Sequence, residues 1–221
     1  MNQLQKWAIR GFYLAWLGIL AALTRPPFTF LILNTFLAYI PIELSFHIGK
    51  KRPQNGLLFW LISLVWLLFY PNAPYLLTDL FHLSLLEPYG SNGLLRLDNS
   101  MWLNFTLLIV SAIPSTILGM WGMNQVNSGI IDRLHLPKWS APIGILVLSI
   151  LSSIGIFIGR FLRIHTIYLF MTPPSLFIQP LLNMWSAKAI RFMILLTFVQ
   201  VVIYWSLHLI STNNNKTDEN N

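Results

Sequence analysis

The chain has 221 residues, of which 55% are hydrophobic and 10% charged, with a formal net charge of +7 and no cysteine. An ordinary soluble domain is about 45–50% apolar and about 25% charged, so this composition excludes a water-soluble fold of the usual kind. With no cysteine there can be no disulfide, thiol catalysis or cysteine-ligated metal. The apolar residues come in long blocks, and the expected class is an all-α, polytopic integral membrane helical bundle of about six transmembrane helices. The basic residues sit mostly in short connections between those blocks, where membrane topology accounts for them. The expected partner is membrane lipid rather than nucleic acid.

The first block, "GFYLAWLGILAAL", follows Lys6 and Arg10 in the charge order of a secretory signal. It runs into "TRPPF" without a small-x-small cleavage site, so a retained first span over 11–24 is expected. A second span is expected over 27–48. Glu43 lies near its end, two residues after Pro41, placed to pair with the Lys50–Arg52 cluster. The third block, "GLLFWLISLVWLLFY" at 56–70, covers about 22 Å at about 1.5 Å per residue, short of a hydrocarbon core of about 30 Å.

The third block meets Pro71, Asn72 and Pro74. Proline lacks an amide hydrogen and restricts the residue before it, so the spacing predicts a break at Pro71–Pro74 with Asn72 as a cap. A second helix is predicted over 75–86. At 100° per residue, Tyr75, Thr78, Asp79 and His82 share about 100° of arc, with leucines around the remainder. A stripe of that kind faces protein or a water-filled cavity rather than lipid. A carboxylate at mid-bilayer costs about 2.5–3.5 kcal/mol on insertion scales, so its presence wants a reason. Broken helices that expose polar groups at depth recur at membrane binding sites. The competing expectation is an interfacial helix with Asp79 in water.

Further spans are expected over 101–123, 141–162 and 189–210. The fifth ends "SSIGIFIGRFLRIHTIY", where Gly155 and Gly159 leave a flat strip for helix approach and Arg160 and Arg163 follow one turn apart. Arginine keeps its charge when desolvated and grips phosphate or carboxylate in fork geometry. The third and fifth spans run in the same direction, so span parity predicts that Asp79, His82, Arg160, Arg163 and His165 gather at one membrane face. Snorkelling arginines with a purely structural pairing to Asp79 are the alternative. Residues 167–186 look like an interfacial segment. The expected domain organisation is a single transmembrane domain over 1–210 and a disordered polar tail over 211–221.

Eight of the 14 basic residues fall on the side of the termini, with "GKKRPQ" their densest cluster, which predicts cytoplasmic termini. Asp79 and His82 offer two metal ligands without a third, so no metal is expected, and no cofactor is implied. His47, His135 and His208 are isolated. No nucleophile, zincin, Walker or dinucleotide-binding motif is present, and the reading favours binding over catalysis.

The segments "FYPNAPYLLTDLFHL" and "SSIGIFIGRFLRIHT" together resemble an uncharacterised bacterial membrane-protein family, domain of unknown function 1361. The resemblance rests on Pro71, Asn72, Ala73, Pro74, Tyr75, Thr78 and Asp79, then on Gly159, Arg160, Phe161, Leu162 and Arg163, and covers roughly residues 25–210. Family members often continue W-N-S-W-D after the arginines, whereas Ile164, His165, Thr166, Ile167 and Tyr168 stand here. The resemblance implies several spans and no particular activity. Three functions are therefore expected to compete. One is an extracytoplasmic site for an anionic small molecule or lipid headgroup, formed by Asn72, Tyr75, Thr78, Asp79, His82, Arg160, Arg163 and His165. The others are a non-catalytic structural or assembly subunit and an intramembrane enzyme acting on a lipid-linked substrate.

Overall fold

A computed structural model describes residues 1–49, 52–163 and 175–218, and it is all-α. The helices are α1 (Gln3–Leu23), α2 (Phe30–Ser45), α3 (Gly56–Phe69), α4 (Asn72–Asp79), α5 (Asn99–Arg133), α6 (Ala141–Phe157), α7 (Ser175–Asn183) and α8 (Ala187–Asp218). Among the described residues, five helical runs are long and apolar enough to cross a membrane: Gln3–Leu23, Gly56–Leu86, Asn99–Arg133, Lys138–Leu162 and Ala187–Ser211. The second expected span is the shorter apolar helix α2, 16 residues long. Pro41 sits inside it without ending it.

The chain forms two compact units, Met1–Gly122 and Met123–Asn221. In the first, α1 starts on a capping box in which Asn2 and Gln5 satisfy each other's backbone amides. It stops at Thr24, whose hydroxyl and amide both donate to the Leu20 carbonyl before the chain meets Pro26 and Pro27. The core of this unit joins Leu20, Leu31, Ala38, Leu76, Leu108 and Ala112 from four helices. Tyr13 and Trp16 of α1 donate to, or share hydrogen bonds with, Ser115 and Ser111 of α5 at 3.0 and 2.9 Å. Two glycines of α5 set the closest approaches. A Cβ on Gly119 would stand 2.7 Å from the Ala73 Cβ, and one on Gly122 would stand 2.9 Å from the Ser45 Cβ.

The predicted interruption of the third span is present and shorter than expected. The helical ladder lapses only at Tyr70 and Pro71, and both keep right-handed helical dihedrals. Asn72 opens α4 rather than preceding it, and Pro74 is tolerated because a first-turn residue needs no amide partner. The predicted second helix over 75–86 is instead α4 followed by a 3-10 turn, Leu80–Leu86. The run Gly56–Leu86 totals 31 residues, which resolves the shortness of the third block.

The second unit packs α6 along α8. Met184, Ala189 and Met193 are buried against Ile154, Phe157 and Phe192. Asn127 donates to the Ala141 carbonyl at 2.9 Å and tethers the start of α6 to α5.

Candidate functional site

The sequence "PNAPYLLTD" solves a backbone problem before it builds a site. Pro71 and Pro74 supply no amides, so carbonyls at the end of α3 lose their usual donors. The Ala73 amide turns to the Tyr70 carbonyl at 3.1 Å, and the Asn72 side-chain amide takes the Phe69 carbonyl at 2.9 Å. The Thr78 hydroxyl likewise donates to the Tyr75 carbonyl at 2.7 Å. Asn72 and Thr78 therefore work on the backbone here.

One turn further along, Asp79 is completely buried. Asn34 of α2 donates its side-chain amide to Asp79 Oδ2 at 2.7 Å. His82 Nδ1 donates to the Asp79 backbone carbonyl at 3.0 Å, which can only accept, and stands 3.8 Å from Oδ1. The imidazole packs on the Phe30 ring at 4.2 Å between centroids and stays 29% exposed. The stripe thus grades from buried Thr78 and Asp79 to half-buried Tyr75 and His82, while Phe81 and Leu85 face outward. The wet interfacial helix is excluded for Asp79. A buried carboxylate beside an amide donor and a half-exposed imidazole can orient a ligand's donor groups or hold and move a proton. Asn34, unpredicted, had one signal: a lone amide within the apolar run "FLILNTFLAYI".

A second polar cluster ties α1 to α2. Arg10 grips Glu43 with both arms, Nε to Oε2 at 3.0 Å and Nη2 to Oε1 at 2.6 Å. Tyr39 donates to the same carboxylate at 2.7 Å, and Lys6 donates to the Phe46 carbonyl at 2.9 Å. Arg10 also lies over the Trp7 ring at 4.7 Å. Glu43 was expected to pair with the Lys50–Arg52 cluster. Among the described residues its ion-pair partners are Arg10, which also stacks on an aromatic face, and His47 at 3.4 Å. Lys50 and Lys51 lie outside the described residues.

Arg160 and Arg163 belong to the second unit. The end of α6 widens into a π-turn, Ile158–Leu162, which carries Arg160 half-buried. Such turns are rare and cluster at functional sites. Arg163 closes it in the left-handed region, φ 54°, a conformation that costs a residue with a Cβ about 1–2 kcal/mol. Its side chain is exposed. His165 lies outside the described residues, as does most of the segment predicted to be interfacial, within which α7 occupies Ser175–Asn183. Among the described residues, no group of three His, Asp or Glu side chains could hold a metal ion.

A helical bundle whose runs are long and apolar enough to span a bilayer, with a carboxylate folded into its interior, defines an all-α membrane-protein class. Within that class the chain belongs to DUF1361, a family of proteins of unknown function, which matches residues 33–203. The match takes in both Asn34 and Asp79, and both arginines. No curated protein and no solved structure matches the chain.

Proposed function

We propose that the Asp79 cluster is the working site of a membrane-embedded binding protein, transporter-like or lipid-handling. Its ligand is an anionic small molecule or lipid headgroup taken from the extracytoplasmic face. Asp79 orients the ligand's donors or carries a proton, and half-exposed His82 connects it to the outside. Tyr75 flanks the entry, and Asn72 and Thr78 hold the backbone that presents it. In the second unit, Arg160 and Arg163, with His165 two residues further on in the sequence, offer positive charge to an anion on their own account. The observation that carries this reading is a carboxylate buried in an apolar bundle with an imidazole 3.8 Å away and partly open.

Complete burial of Asp79 and its bond to Asn34 favour a second reading, in which the pair bolts α2 to α4 in a non-catalytic structural or assembly subunit. Catalysis on a lipid-linked substrate is a third. Asp79→Asn keeps shape and hydrogen-bonding capacity while removing the acid. Under the binding reading it leaves expression and oligomeric state intact, and native mass spectrometry of the full chain with phosphatidylglycerol shows weaker lipid retention. Arg160→Gln and Arg163→Gln weaken that retention too. If Asp79→Asn instead damages assembly and leaves retention unchanged, the structural reading stands.

A further inference from the structure

The second unit buries a polar cluster that no proposed role uses. Ser149, Ser152 and Ser153 of α6 and Gln200 of α8 are each 0% exposed. The Gln200 side-chain nitrogen lies 2.8 Å from Ser153 Oγ, 3.3 Å from the Ser149 carbonyl and 3.4 Å from the Leu196 carbonyl. Two of these neighbours can only accept, so the amide is fixed: turning it over would set oxygen against oxygen. Its carbonyl oxygen, Oε1, therefore points elsewhere, and among the described residues it has no donor. Ser152 Oγ, one residue from the Ser153 contact, has no partner either. In a hydrocarbon setting an unsatisfied polar group costs several kcal/mol, so each of the two atoms calls for a hydrogen-bonding partner.

The surroundings say which kind. The cluster is neutral, built from hydroxyls, an amide and carbonyls, so a charged ligand has no counter-ion in it. Along α8, Thr197, Gln200, Tyr204 and His208 follow at spacings of three, four and four, which places them on one face. Thr197 donates to Ser153 Oγ at 2.9 Å, Tyr204 donates to Asn124 Oδ1 at 2.9 Å, and His208 stacks on Tyr204 at 6.0 Å and is exposed. We propose that Gln200 Oε1 is a bound-water site, the inner end of a hydrated polar track along α8 that opens past Tyr204 at His208. Water supplies a donor for Oε1 and can take either role toward Ser152 Oγ, and it needs no counter-charge.

The chain has no cysteine, so single cysteines report without background. A thiol reacts as its thiolate, which forms in water and is suppressed in hydrocarbon. In full-length protein reconstituted into phosphatidylglycerol and phosphatidylethanolamine vesicles, Ser152→Cys should react with methyl methanethiosulfonate about tenfold or more faster than lipid-facing Leu151→Cys. Adding Gln200→Leu should bring the Ser152→Cys rate down to that of Leu151→Cys. Equal rates for the two single variants would overturn the proposal. A fast Ser152→Cys rate unmoved by Gln200→Leu would remove Gln200 as the group that holds the water. Should Ser152→Cys fail to fold, Thr197→Cys against Phe198→Cys makes the same comparison from α8.

Discussion

Asn34 and Asp79 show how far residue types alone can carry an inference. The acid was conspicuous because a carboxylate among leucines is expensive, and its inward direction followed from helical spacing. Its partner was hidden, since periodicity says which face of a helix is polar but not which neighbour that face meets. The bond between them should be measurable. Asn34→Ala removes a hydrogen-bond donor from a fully buried carboxyl group, which costs about 1–3 kcal/mol. Thermal unfolding in detergent should show the loss, and the double variant with Asp79→Ala should fall short of the sum of the single ones, as contacting residues do. Strict additivity would mean that the 2.7 Å contact contributes nothing of its own.

At the scale of elements, the long apolar runs mark their helices plainly, and the prolines mark the lapse between α3 and α4. What composition could not convey is how mild that lapse is: Asn72 repairs the Phe69 carbonyl, so two prolines suspend a helix for two residues rather than ending it. Close glycine contacts, which residue type alone does not single out, are present at Gly119, Gly122 and Gly144. A small residue permits an approach, and only the facing helix determines whether one happens. At Gly119 the facing atom is the Ala73 Cβ, which has no rotamer with which to yield. Gly119→Ala should therefore force α5 away from α4, at the roughly 1–3 kcal/mol typical of overpacking. Ala73→Gly in the same chain should restore much of the loss in melting temperature, because it returns the space to the other side of the same contact. A Gly119→Ala variant as stable as the parent would show that the two helices are not held at that point.

For the whole molecule, the distribution of basic residues sets the expected orientation in a bilayer. The basic side chains near the termini do two kinds of work. Lys6 and Arg10 are engaged with Phe46 and Glu43, so part of the cluster that favours a cytoplasmic face is also a structural clasp between α1 and α2. Arg10 cannot be removed as a topology signal without loosening that clasp, whereas the 49–55 loop and the polar tail can be probed without touching it. Loops dense in lysine and arginine stay on the cytoplasmic side, and "GKKRPQ" is the densest in the chain. Single cysteines at Lys51 and Asn214 should accordingly resist a membrane-impermeant thiol reagent in intact cells and react once the cells are opened. If both label readily in intact cells, the orientation is inverted and the Asp79 cluster opens to the cytoplasm. Labelling at one position only would place the loop and the tail on opposite faces, which requires an odd number of spans between them and would leave one of the apolar helices outside the set that crosses.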